Sequence, residues 1–114
     1  MPHVILEYSK NVTQTGDISV VCGALFDALS AHPAFTDPKA IKIRATQVDH
    51  FQIGSEPHSF VHATLLLLHG RDEATRANIN QTILAVLEDA FADVGSLSVL
   101  DRAIDPATYA KRVL

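Results

Sequence analysis

Hydrophobic and polar positions along the chain predict two β-α-β units. Four stretches have the pattern of β-strands, because apolar and polar residues alternate in them or because they are apolar throughout. These stretches are 3–8, 41–51, 60–69 and 97–104. Two stretches between them repeat apolar residues at helical spacing, namely Ile18, Val21, Leu25, Phe26 and Leu29, then Ile79, Ile83, Leu87, Phe91 and Val94. The pattern therefore predicts an α+β fold, in which duplicated β-α-β units form a four-stranded sheet with two helices on one face.

Polar and turn residues indicate where these elements begin and end. The predicted helix boundaries are Asp17 and then His32 with Pro33 for the first helix, and Asp72 and then Gly95 for the second. A polar loop over 9–16 follows the first strand. Asp105 and Pro106 predict a last turn of helix that runs through Ala110.

One face of the predicted sheet lacks a cover. Both helices lie on the same face, yet the second and third strands are apolar on both faces. An exposed apolar sheet face is typical of a surface between subunits. The sequence therefore predicts an oligomer.

Composition narrows the class of protein. The 114 residues amount to one domain, 1–114. The net charge of −4, with no run of Lys or Arg, excludes an ordinary nucleic-acid surface. The single cysteine, Cys22, cannot form an internal disulfide and fits a reducing compartment. The longest apolar run, 65–68, is too short for a bilayer, and residues 1–8 lack the features of a signal peptide, so a cytoplasmic protein is expected.

The motifs of cofactor and metal chemistry are missing. The glycines form neither a phosphate-binding loop nor a dinucleotide fingerprint, and no zinc or calcium spacing is present. His58 and His62 are four residues apart, which on a strand separates them by about 13 Å, too far to share a metal. Cys22 has no evident activating neighbour and is expected to pack near the core. No cofactor or metal is therefore expected.

Pro2 is the first candidate for catalysis. Removal of Met1 would leave a secondary amine, and an α-amino group ordinarily titrates near pH ~8. Burial and nearby cations would lower that pKa and produce a general base that works at neutral pH. If Met1 stays attached, the Pro2 nitrogen is an amide and cannot act as a base. On position alone, the ordinary role of proline as a common second residue is favoured.

Three cations are candidates for binding an anionic substrate. Lys42 and Arg44 are two residues apart on a strand and therefore share a face. They either bind a carboxylate or protect an exposed edge strand with charge. Arg71 follows Gly70 where the third strand ends, so it either leans over the sheet end toward a ligand, remains a solvated loop residue or pairs with a neighbouring acid.

Three segments together resemble a known family. These are 2–8, then 41–44 continuing to Val48 and Asp49, then 60–65 leading to Gly70 and Arg71. They look like the 5-carboxymethyl-2-hydroxymuconate Δ-isomerases of the tautomerase superfamily. The similarity runs from Pro2 to about residue 105, and the 60–65 segment with Gly70 and Arg71 is its most specific part.

The resemblance implies an enzyme of aromatic-compound catabolism. It implies a homotrimer with active sites near the subunit boundaries, without a cofactor. It implies that Pro2 carries a proton along a carboxylated 2-hydroxymuconate-type dienol to give the keto isomer. It further implies that Arg44 and Arg71 hold the substrate carboxylates and stabilise the enolate, with Lys42 assisting. Related chains often have arginine at the position of Lys42, and lysine lacks the bidentate fork, which affects substrate preference.

Other functions fit part of the pattern. A phenylpyruvate-type tautomerase would use the same proline. A hydratase or dehalogenase would also need an acid beside Pro2, and Glu7 is expected on the opposite face of its strand. A non-catalytic ferredoxin-like module would use the arginines only to bind a small anion, and blocking its N-terminus would change nothing.

Overall fold

The fold contains the predicted strands and helices in the predicted order. The computed structural model describes residues 1–12 and 17–114, so part of the loop expected over 9–16 lies outside the described residues. The strands are β1 His3–Ser9, β2 Lys42–Val48, β3 Phe60–Leu68 and β4 Ser96–Ile104, and the helices are α1 Ile18–Ser30 and α2 Glu73–Ala90. Two short 3-10 turns lie at Pro38–Ala40 and Pro106–Thr108.

The sheet joins two parallel strand pairs back to back. Its order is β2-β1-β3-β4, where β1 runs parallel to β2, β3 runs parallel to β4, and the central strands β1 and β3 are antiparallel. Each β-α-β unit therefore forms one parallel pair with its helix as the crossover connection. This arrangement confirms the predicted α+β fold.

Both helices pack on one face of the sheet, where they bury the core. The fully buried side chains include Val4 and Leu6 of β1, Val61 and Leu65 of β3, Leu25 and Leu29 of α1, and Ile83 and Leu87 of α2. Asp17 and Asp72 cap the helices as predicted, because their carboxylates accept the N–H groups of Ser19 at 2.9 Å and Thr75 at 2.8 Å. Phe26, which was expected on the buried stripe of α1, is 37% exposed.

The opposite face of the sheet is open in a single chain. The register places Lys42 beside His3, and Arg44 beside Ile5, on this face. Leu66 lies on the other side of His3, and Leu100 of β4 is 44% exposed. The open face therefore combines two cations at the β2 edge with apolar side chains across the centre and the β4 edge.

Three predicted boundaries were wrong for identifiable reasons. Helix α2 ends at Ala90 rather than just before Gly95, because the backbone of Phe91 leaves the helical region and its carbonyl accepts the Val94 N–H at 3.1 Å. Strand β2 ends at Val48 instead of residue 51, since its partner β1 ends at Ser9. The last turn covers only Pro106–Thr108, and Tyr109 after it is extended.

No helix within residues 1–12 and 17–114 has the length and apolar character that crossing a membrane requires.

Candidate active site

The amino terminus is buried at one end of the sheet. Met1 is 7% exposed, and Pro2 after it is also buried. The Pro2 carbonyl accepts the Lys42 N–H at 3.0 Å, which ties this end of the chain to β2. A cavity of about 110 Å³ adjoins Met1 and is lined by Met1, Ala34, Phe35, Thr36, Asp37, Ala40 and Arg71. The terminus thus lies at a small cavity between the loop that precedes β2 and the end of β3.

Arg71 reaches this cavity because the chain turns sharply after β3. Gly70 has a φ of +113°, a backbone conformation that favours glycine. The Arg71 guanidinium donates to the carbonyls of Leu68 and Ala34, both at 3.3 Å, and its carbon lies 5.3 Å from the centre of the Phe35 ring. Within the described part of the chain, no ion pair joins Arg71 to an acid. Of the alternatives for Arg71, the structure therefore rules out pairing with a neighbouring acid and places its partly buried side chain at the cavity.

Lys42 and Arg44 share a face, as predicted, but their head groups contact different partners. The Lys42 ammonium donates to the Ala40 carbonyl at 3.0 Å, beside the cavity. The exposed Arg44 guanidinium donates to Nδ1 of His3 at 3.1 Å on the open face. The structure thus brings Lys42 and Arg71 to the terminus and leaves Arg44 on the open face.

Cations surround the terminal amine. Burial is the main cause that lowers the pKa of the Met1 amine below its ordinary value of 8.0, and Lys111, Lys42 and Arg71 lower it further, whereas Asp37 raises it. A cation near an amine disfavours its protonated form, whereas the same cation attracts an anionic ligand. The site is therefore suited to a neutral amine facing a carboxylate.

Four residues of this region were missed in the sequence. Phe35 and Lys111 contribute to the surroundings of Arg71 and the amine. His3 and Tyr109 lie near Arg44, with His3 Nε2 2.9 Å from the Tyr109 hydroxyl. Alternation along β1 places His3 on the Lys42 side once the parallel pairing is known. The tail that carries Tyr109 and Lys111 shows no periodic signal.

The other candidate residues lie away from the terminus. Nδ1 of the partly buried His62 is 2.7 Å from the Ser98 hydroxyl, while the exposed His58 pairs with Glu56 before β3 begins, so the expectation that both lie on a strand was wrong. Burial, and then the Asp17 carboxylate, raise the pKa of Cys22, which keeps its thiol protonated. Glu7 is exposed on the open face, beside His62. Across the described residues, no group of three or more His, Cys, Asp or Glu side chains could hold a metal.

Comparisons with known proteins identify one family. The model of the 5-carboxymethyl-2-hydroxymuconate isomerase family matches residues 2–105. A search of curated proteins found no significant match.

Solved structures support the same assignment. A 5-carboxymethyl-2-hydroxymuconate isomerase from Deinococcus radiodurans R1 is 29% identical, with 99% of this chain and 90% of that chain covered and a TM-score of 0.85. A 5-carboxymethyl-2-hydroxymuconate delta-isomerase is 21% identical, with 98% and 88% covered and a TM-score of 0.82. The Q0 fused 4-OT symmetric trimer is 12% identical, with 96% and 90% covered and a TM-score of 0.78. The resemblance seen in the sequence is thereby confirmed.

Proposed function

The chain belongs to the 5-carboxymethyl-2-hydroxymuconate isomerase family, and from that premise we propose that Pro2 is the general base of its reaction. Membership makes the chain an isomerase of the tautomerase superfamily. The substrate is a carboxylated 2-hydroxymuconate-type dienol, and the product is its keto isomer. The reaction belongs to cytoplasmic aromatic-compound catabolism.

Removal of Met1 creates the base. While Met1 is attached, the Pro2 nitrogen is a tertiary amide without a basic lone pair. After removal, the nitrogen becomes a secondary amine one residue further along the chain, in the surroundings that lower the pKa of the Met1 amine. Those surroundings favour the neutral form of the amine, which is the form that can accept a proton.

Pro2 alone both accepts the proton and returns it to the substrate. The neutral amine takes the proton from the 2-hydroxyl group, and the electron pair of that O–H bond becomes the carbonyl of the product. The double bonds shift along the conjugated system, and the protonated amine returns its proton to a carbon further along. The enolate that forms between these transfers carries negative charge, which fixed cations at the site stabilise.

Arg71 and Lys42 bind substrate carboxylates beside the amine. The observation that carries the proposal is the buried terminus, with Arg71 lining the adjoining cavity and Lys42 at its edge. Arg71 offers a planar fork to a carboxylate, whereas Lys42 offers a point charge without bidentate geometry. Lys42 therefore tolerates more carboxylate orientations than an arginine would.

Arg44 joins this site through assembly. It is exposed on the open face, which the two helices of its own chain do not cover. We propose that the chain forms a homotrimer in which this face packs against a second copy, which places Arg44 at a subunit boundary. Apolar side chains on the face and the symmetric trimer formed by the fused 4-OT protein of the same fold support this assembly.

The decisive experiment compares the processed protein with Pro2→Ala. Mass spectrometry first confirms that Met1 is absent, and ultraviolet absorbance then follows ketonisation of a 2-hydroxymuconate-type dienol. We expect Pro2→Ala to lower kcat/KM by about a hundredfold or more, within the range that a positioned general base contributes. Pro33→Ala, which changes an exposed proline outside the terminal cavity, should retain full activity.

A form that retains Met1 provides a second check, because it keeps every side chain and blocks only the nitrogen. It should be inactive. Full activity in the Met1 form or in Pro2→Ala would overturn the proposal. A processed protein that ketonises phenylpyruvate enol but not the dicarboxylated dienol would overturn the substrate assignment and keep the proline chemistry.

A further inference from the structure

We propose that His3 and Tyr109 are positioning residues that hold the Arg44 guanidinium ready for a substrate carboxylate. This inference rests on the proposed function and extends it to the C-terminal segment. Tyr109 lies outside residues 2–105, which the family model matches, so membership itself assigns it no role. The two residues are 106 positions apart in the chain, yet their side chains meet on the open face.

The direction of the hydrogen bonds follows from the donors available. A guanidinium has only N–H donors, so Nδ1 of His3 must accept the Arg44 bond of 3.1 Å. A neutral imidazole that accepts at Nδ1 carries its proton at Nε2. That Nε2–H then donates to the Tyr109 hydroxyl oxygen at 2.9 Å. The donor-only Arg44 thus fixes the tautomer of His3, and the Tyr109 hydroxyl supports that tautomer by accepting from Nε2–H.

The C-terminal segment is built to present this hydroxyl. Asp105 caps the 3-10 turn Pro106–Thr108 by accepting the Ala107 N–H at 2.9 Å. The chain then extends at Tyr109, the one partly buried residue of 105–114, where every other residue is exposed. The Tyr109 ring meets the His3 ring edge-on, at 80° with centroids 6.1 Å apart. The segment is thus anchored on the fold by the side chain that contacts His3.

Burial and neighbouring cations favour the neutral form of His3 that this arrangement needs. Burial lowers the pKa of His3 most, followed by Arg44, Lys42 and the terminal amine. Among the described residues, these cations and the Tyr109 hydroxyl are the titratable groups that face His3, and the flanking residue on β3 is the apolar Leu66. Protonation at Nδ1 would remove the acceptor for Arg44 and set two cations against each other. Acidification should therefore release Arg44 as pH falls through the pKa of His3.

Holding one N–H of Arg44 leaves its remaining donors for a carboxylate. A guanidinium fixed in this way loses less side-chain freedom when substrate binds. Loss of the hydrogen bonds through which His3 and Tyr109 hold Arg44 should consequently raise KM for a dicarboxylated substrate more than it lowers kcat. A merely structural role for Tyr109 would not produce that split.

The test uses Tyr109→Phe, which removes only the hydroxyl, and Tyr8→Phe as the matched control on β1. We expect Tyr109→Phe to raise KM about three- to tenfold, with Tyr8→Phe unchanged. In an Arg44→Gln background, Tyr109→Phe should have no further effect, because the residue it supports is already gone. His3→Gln, whose amide can accept from Arg44 and donate to Tyr109, should retain more activity than His3→Leu.

A readout independent of activity follows the imidazole itself. The ¹⁵N NMR shifts of His3 should show the proton on Nε2 in the native protein and a mixture of tautomers in Tyr109→Phe. An unchanged KM in Tyr109→Phe, or losses that add fully to those of Arg44→Gln, would overturn the inference. Full activity in Arg44→Gln together with inactive Pro2→Ala would also overturn it while leaving the proline mechanism intact. Failure of Pro2→Ala to lose activity would instead count against the proposed function.

Discussion

Replacing Gly95 with alanine should destabilise the fold without altering the chemistry. A Cβ at this position would lie 1.9 Å from the Pro57 carbonyl oxygen and 2.9 Å from its carbonyl carbon. Both atoms belong to the backbone, so no side-chain rotation relieves the contact. The Gly95 N–H also donates to the buried Ser59 hydroxyl at 3.0 Å, which ties residue 95 to the start of β3. The added methyl group must therefore displace either this junction or the turn that carries Pro57.

The size of the effect follows from that displacement. Restoring an ordinary contact of 3.4 Å requires a backbone shift of about 1.5 Å, and overpacking of this kind typically costs about 3 kcal/mol at its upper range. For a chain of this length, each kcal/mol lowers Tm by roughly 4 °C. We therefore expect Gly95→Ala to lower Tm by about 12 °C.

Gly23→Ala is the matched control. Gly23 is an exposed residue of α1, and nothing lies within 4 Å of the Cβ that would be added there. Alanine favours the helix over glycine by about 1 kcal/mol, so this variant should raise Tm by roughly 4 °C.

Circular dichroism melts at one fixed protein concentration measure both effects, and kcat/KM at 20 °C measures the chemistry. Gly95 precedes Ser96, which pairs with Phe60 at the start of β3, whereas His3 pairs with Leu66 toward its end. The change thus lies at the sheet end opposite Pro2, and activity per folded molecule should persist. A Tm for Gly95→Ala within 2 °C of the native value would refute the steric reasoning.

Two further predictions concern the base and the assembly. Burial and then the Lys111 and Lys42 cations lower the pKa of the terminal amine below 8.0, so the neutral base should persist at pH values where an ordinary terminal amine is protonated. Lys111→Gln removes one of these cations and should move the acid limb of kcat/KM to higher pH at low salt. Lys10→Gln, one residue beyond the far end of β1, should leave the acid limb in place. An acid limb that stays fixed in Lys111→Gln would show that Lys111 does not act on the base. Leu100 is 44% exposed on the open face, and Leu100→Arg should shift sedimentation from trimer to monomer and reduce activity. Val20 of α1 is 60% exposed, and the control Val20→Arg should preserve the trimer. A trimeric Leu100→Arg would place the subunit contact elsewhere.

The fold was predictable wherever local chemistry determines structure. Asp17 and Asp72 cap their helices because a short carboxylate can reach the free N–H groups of the first turn, a relation contained within a few residues. Gly95 misled the prediction because a glycine after a helical pattern resembles a helix stop. Its actual role is to let the backbone pass close to the Pro57 carbonyl, which belongs to a distant turn. No local pattern contains that contact.

The same distinction explains which parts of the site were predictable. Alternation put Lys42 and Arg44 on one face because strand periodicity is local. What each cation contacts depends on partners from elsewhere: the Ala40 carbonyl for Lys42, and His3, supported by Tyr109, for Arg44. The charges that lower the pKa of the terminal amine likewise include that of Lys111, which is more than one hundred residues away in the chain. Strand periodicity therefore predicts which face a cation occupies, whereas the orientation of that cation and the pKa of the terminal amine arise only when the two ends of the chain meet.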